Sequence, residues 1–162
     1  MFLSWRVTDS LSGVTIEEFN KDYNGLHGFI KFQMDNNSIG FIPEESVPLD
    51  GDSDILYYIK KLIECGLAIY KNETIDISLL SYNMLKICVR YDNVVLVDVK
   101  NIENYSLVWR GQTTIDKLVD EINSNYCDIC KFIEKCNPVL FKTELMQNLL
   151  ILYRDFHELL SR

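Results

Sequence analysis

Two runs carrying β-branched residues, Met84–Tyr91 and Val94–Lys100, stand on either side of Asp92-Asn93. No other feature limits the fold of this chain as strongly. Such side chains are stiff at χ1 and pack well on a pleated surface, so both runs are expected as strands. Asp-Asn between them is the chemistry of a short hairpin turn. Tyr105–Arg110, beyond the polar stretch Asn101–Asn104, supplies a third strand of the same meander. At Thr113 the period changes. Ile115, Leu118, Val119 and Ile122 recur at three- and four-residue steps, and Thr113 with Asp116 resembles a capping box. The helix they start is expected to run through Cys127, Cys130 and Ile133 to Asn137-Pro138, because a residue before proline is disfavoured in helical geometry. A last helix is predicted over most of Thr143–Leu160, with Leu145, Leu149, Leu152, Phe156 and Leu159 on one stripe.

The first half of the chain reads similarly. Phe2–Val7 is a candidate strand, and Thr15 ahead of Glu17 and Glu18 marks a short helix over about Thr15–Tyr23. In Gly28–Met34 the residues Ile30, Phe32 and Met34 fall on one side of an extended chain. Asp35–Ser38 supplies turn chemistry, and Ile39–Ile42 returns as the partner strand. Leu56, Ile59, Leu62 and Ile63 predict a helix over Asp54–Cys65, with Gly66 where it would end. Leu67–Tyr70 and Ile75–Leu80 are short apolar runs, one of them a candidate strand. Together these elements predict an α+β fold: an antiparallel sheet of about five strands, with three helices packed mainly on one face. At 162 residues, one domain covering residues 1–162 is expected. Gly25, Gly28, Gly40 and Gly51 do not form the G-x-G-x-x-G spacing of a dinucleotide-binding loop.

Charge and cysteine content narrow the function. Sixteen Lys and Arg against 24 Asp and Glu give a formal charge of -8. Nucleic-acid binders draw affinity from basic groups that neutralise phosphates, so nucleic acid is not expected as a partner, whereas a basic protein is. Apolar runs such as Val94–Val97 and Leu149–Leu152 fall far short of the roughly 20 residues of a membrane span. The opening Met-Phe-Leu-Ser-Trp-Arg lacks secretory-signal features, which points to the cytoplasm. The five cysteines are then expected to be reduced. Cys127-x-x-Cys130 followed by Cys136 can be read as three zinc thiolates or a redox pair, but the fourth zinc ligand is missing. The favoured reading is small buried groups on one helix face. His27 and His157 lie in no motif that sets a base beside a nucleophile. No catalytic residue, metal or cofactor is assigned, and an enzyme is not expected.

The charge is unevenly placed. Residues 1–60 hold four basic and ten acidic groups, and so carry most of the excess. Glu44, Glu45, Asp50, Asp52 and Asp54 fall in the single connection Pro43–Asp54, which also contains Pro48 and Gly51. Three readings of it stay open. Asp50-x-Asp52-x-Asp54 matches the opening of an EF-hand loop, but Ile55 and Lys61 occupy the positions of its Gly and Glu. A solvated loop would confer solubility and place negative charge at a helix start. A docking surface would use the same acids to speed association with a basic protein. Tyr57 and Tyr58, with Phe41 nearby, would join it as interface aromatics, and core packing is their alternative role.

The stretch Ile42-Pro-Glu-Glu45 through Asp54, the meander Met84–Trp109, and Trp109-Arg-Gly-Gln-Thr-Thr114 entering a helix that ends at Asn137-Pro138 cover most of the chain. In this combination the chain resembles, by type rather than by a diagnostic motif, the bacterial immunity proteins of contact-dependent inhibition and polymorphic toxin systems. The resemblance implies stoichiometric binding to a cognate toxin protein, often a nuclease, that blocks its active site or substrate groove without chemistry. Its partner-binding residues would be Glu44, Glu45, Asp50, Asp52, Asp54, Tyr57 and Tyr58. The alternative is a cytosolic bacterial regulatory or interaction module without catalytic activity, homodimeric through the Leu145–Leu159 stripe.

Overall fold

The structure is a computed structural model that describes residues 3–22, 25–44, 51, 53–79, 83–90 and 92–161. In chain order the elements are β1 (Leu3–Val7), α1 (Ile16–Asp22), β2 (His27–Met34), β3 (Asn37–Gly40), β4 (Ser53–Asp54), α2 (Ile55–Tyr70), β5 (Ile75–Leu79), β6 (Asn83–Arg90), β7 (Val94–Asn101), β8 (Leu107–Thr114) and α3 (Ile115–Cys136). A 3-10 turn, Pro138–Lys142, and α4 (Glu144–Leu160) complete the chain.

The class is α+β and every strand pair among the described residues is antiparallel, as the patterning implies. The strands nevertheless divide between two four-stranded sheets instead of joining in one of about five. In the first, β2 lies between β1 and β3, and β4 continues the β3 side by pairing His27 with Asp54 and Gly28 with Ser53. The second is the meander β5-β6-β7-β8. α2 separates the two sets of strands in sequence, so the second set builds its own ladder. Side chains then join the sheets, with Phe32 stacked on Trp109 at 6.4 Å between ring centroids.

The strands form for the reasons their patterns give. Val95, Val97 and Val99 of β7 alternate into the core, and Asp98 between them is paired across the strand with Arg110 of β8. Asp35 opens the β2–β3 turn at φ 52, a left-handed conformation that Asp tolerates better than most residues. Between Val99 and Lys100 the pairing with β8 shifts, leaving Val108 as an extra, exposed residue in a bulge.

The helices differ from expectation at their ends. α1 begins at a full capping box: Thr15 Oγ1 accepts from the Glu18 amide, and Glu18 Oε2 accepts from the Thr15 amide at 2.9 Å. The Thr15 amide and the Thr15 hydroxyl, both donating to Glu18 Oε2, hold the Glu18 carboxyl below its ordinary value. α2 does not stop before Gly66; it runs to Tyr70. Gly66 is a crossing point. A Cβ there would sit 2.5 Å from Phe156 Cε2 and 2.6 Å from Ile122 Cδ1, so glycine lets α3 and α4 approach α2. α3 is capped by Thr114, whose Oγ1 accepts from the Lys117 amide, while Thr113 stays in β8. Its end at Asn137-Pro138 is as expected, and Asn137 Nδ2 donates to the carbonyls of Leu11 and Val14 at 2.9 and 2.8 Å.

One buried cluster draws on both sheets and on α1 to α4. α2 packs against α3 and α4 and touches β2, β5 and β6. The Leu145–Leu159 stripe belongs to this interior: Leu149 and Phe156 are buried, and Leu145 and Leu152 pack against the core. The cysteines of α3 follow the packing expectation only in part: Cys130 packs against the core, and the other two do not. Cys127 and Cys136 are exposed and Cys130 is half-buried, because the inward face is formed by Leu118, Ile122, Asn125, Ile129 and Ile133. No helix among the described residues is long and apolar enough to cross a membrane.

Candidate functional site

The acidic connection leaves the first sheet after β3 and re-enters it at β4, and both of its ends are tied to β1 and β2. At the start, Arg6 Nη1 donates to the Pro43 carbonyl at 2.9 Å while its guanidinium lies 5.2 Å from the Phe29 ring centroid. Phe29 in turn contacts Phe41, with ring centroids 5.5 Å apart. Phe29 is buried but Phe41 is 59% exposed, so an aromatic ring stands in solvent three residues before Glu44, itself exposed. At the other end the Gly51 amide donates to Thr8 Oγ1 at 3.2 Å. Gly51 lies directly against the Gly28 backbone, where any Cβ would collide.

Beside Gly51 lies a small polar group. The Thr8 amide and hydroxyl both donate to the His27 carbonyl, at 2.9 and 3.2 Å. Asp9 Oδ2 accepts from the His27 amide at 2.6 Å and stands 3.2 Å from His27 Nδ1. Asp54, opposite His27 in the ladder, accepts from the Tyr57 amide at 3.2 Å and so caps α2. Burial raises its carboxyl above the ordinary value, against the pull of backbone bonds from Tyr57, Leu26 and Leu56 and the nearby His27.

Of the residues assigned to partner binding, the structure places Asp54, Tyr57 and Tyr58 together at the start of α2, and Glu44 at the far end of the connection. Glu45, Asp50 and Asp52 lie outside the described residues. Asp54 is committed to its cap, which leaves less of its carboxylate for calcium or for a partner. Tyr57 and Tyr58 are half-buried, pack against the core and touch edge-to-face at 5.1 Å. Lys61 lies 5.7 Å from the Tyr57 ring and 2.6 Å from Glu64, whose hydrogen bond raises the lysine's proton affinity. The two tyrosines therefore serve packing first. Among the described residues no group of three His, Cys, Asp or Glu could hold a metal ion.

Arg6, Thr8 and Asp9 carried no signal in the sequence, because a lone polar residue within or just after a strand says nothing of its distant partners. Among the described residues this surface offers one exposed ring, Phe41, and the exposed Glu44 three residues on. Compared with family models, curated proteins and solved structures, the chain matches none.

Proposed function

We propose that the protein is an immunity protein: a stoichiometric inhibitor that binds a cognate, basic toxin domain through the acidic connection Pro43–Asp54 of its first sheet. The observation that supports this most is the exposed Phe41 held on Phe29 at the mouth of the acidic connection. Aromatic rings surrounded by charge are a common composition at protein interfaces, where the ring supplies affinity and the charges supply rate. The concentration of acidic groups in residues 1–60 supports it from the sequence side. Less of the surface proposed for the homodimer alternative is free, since Leu149 and Phe156 of the α4 stripe are buried and Leu145 and Leu152 pack against the core.

Co-expression with the toxin encoded beside its gene, followed by pull-down and a cell-protection assay, tests the reading. A stable one-to-one complex and protection are expected, and the absence of both overturns it. In the complex, Phe41→Ala should raise the dissociation rate about tenfold or more, as for an interface anchor. Neutralising Glu44, Glu45, Asp50 and Asp52 while keeping the Asp54 cap should slow association and flatten its salt dependence. Unchanged association would return the loop to a purely solvating role.

A further inference from the structure

We infer that a cleft between β1 and α3 is a binding site for an arginine side chain presented by a partner polypeptide. It deepens the reading above, resting on it only for who the partner is. The cleft encloses about 310 Å³ and is lined by Leu3, Ser4, Trp5, Glu121, Ser124, Asn125 and Asp128. Its walls are built rather than incidental. Asn125, only 5% exposed, sits on the inward stripe of α3, a position the pattern would give to an apolar residue. Its Oδ1 accepts from Trp5 Nε1 at 3.0 Å and its Nδ2 donates to the Glu121 carbonyl at 3.0 Å and to Glu121 Oε1 at 3.2 Å. The Leu3 amide donates to the same Oε1 at 3.0 Å. Two donors thus fix the Glu121 carboxylate through one oxygen, and among the described residues Oε2 is left to accept from a ligand.

The chemistry selects a cation. Among the described residues, two carboxylates and no basic side chain line the cleft. Asp128 meets Lys131 at 3.5 Å, but both side chains are largely exposed, so that pair is weak and readily exchanged. Trp5 is locked by its bond to Asn125 and by an edge contact with Phe132 at 6.2 Å. An indole beside a fixed carboxylate suits a guanidinium, which stacks on aromatic rings and offers several in-plane donors to one carboxylate. The cleft has two carboxylates, and among the described residues no group of three His, Cys, Asp or Glu could hold a metal ion.

The test is an amide and indole NMR titration of the full chain with a capped Gly-Ser-Arg-Ser-Gly peptide. The chain has two tryptophans, and Trp5→Phe assigns their indole signals. The Trp5 indole and the Ser124 and Asn125 amides should shift while the Trp109 indole stays still. The same peptide with citrulline, which has the shape without the charge, should bind at least tenfold more weakly. Glu121→Gln should lose affinity to a similar degree. Asp128→Asn, at an exposed position that does not hold the fold, should lose a smaller part of it. Equal binding of the citrulline peptide, or unchanged binding to both variants, overturns the site. Free arginine amide binding as tightly as the peptide overturns the polypeptide source. Because no toxin is present, a failed pull-down with a successful titration counts against the immunity role alone. The reverse result counts against the cleft alone.

Discussion

Asp54 shows how one carboxylate can look like a ligand in sequence and act as a brace in the fold. It caps α2, pairs opposite His27 and is half-buried, and burial raises its proton affinity. Asp54→Ala should cost about 0.5–2 kcal/mol in urea unfolding, the usual loss of an N-cap. Asp54→Asn keeps an acceptor and removes the buried charge, so at pH 7 it should match or exceed the native chain. The sign follows from the direction of the shift. A carboxyl raised above its unfolded value of about 3.8 adds stability below that pH and loses it as pH rises through the folded value. The advantage of Asp54→Asn over the native chain should therefore grow between pH 3.5 and 7, and a constant difference would contradict the burial argument. The acids of Pro43–Asp54 were legible as a cluster, but the separate role of Asp54 was not. Only the β4 pairing with β2 brings Gly25, Leu26 and His27 around it.

At the scale of the element, Gly66 and the cysteines carry the lesson. A glycine after an apolar helical run is the usual mark of a helix end, and Gly66 has that appearance. Its true constraint is the approach of Phe156 and Ile122. In an open helix Gly→Ala would gain up to about 1 kcal/mol. Here Gly66→Ala should instead lose about 1–3 kcal/mol through overpacking, read as a lower thermal midpoint. The three-residue spacing of Cys127 and Cys130 shows that they share a side of α3, and spacing alone does not say which side faces inward. Brief alkylation of the native chain with peptide mapping should label Cys127 and Cys136 first and Cys130 more slowly. Cys65, whose thiol is pushed up by burial, should react only on unfolding. Early labelling of Cys65 would mean that α2 opens locally.

Across the whole molecule, the two sheets share one buried cluster, with α2 against strands of both. Unfolding is expected to be a single transition. Trp5 reports on the first sheet and α3, and Trp109 on the second sheet, so Trp5→Phe and Trp109→Phe chains offer separate fluorescence probes. Each should give the same transition by fluorescence as by circular dichroism. Separate transitions for the two probes in their own variants would show two folding units instead of one domain. The cross-strand Asp98–Arg110 pair tests the meander: Arg110→Ala leaves a 7% exposed carboxylate without its guanidinium, and should cost about 1–3 kcal/mol.

Local chemistry determined much of this protein. Period-2 and period-3.6 patterning placed most strands and helices, though the strand expected at Ile39–Ile42 lies at Asn37–Gly40 and Leu67–Tyr70 belongs to α2. Asn137-Pro138 ended α3, and the count of charged groups set the acidity of the first sixty residues. Those signals act between neighbours a few residues apart, and a sequence displays such neighbours directly. The tertiary structure decided the rest: the division into two sheets, the inward face of α3, the close crossing at Gly66, and the meeting of Trp5 with Asn125 across 120 positions. Each depends on which distant surfaces pack together. That choice comes from burying one shared core, and no single segment of the chain carries it.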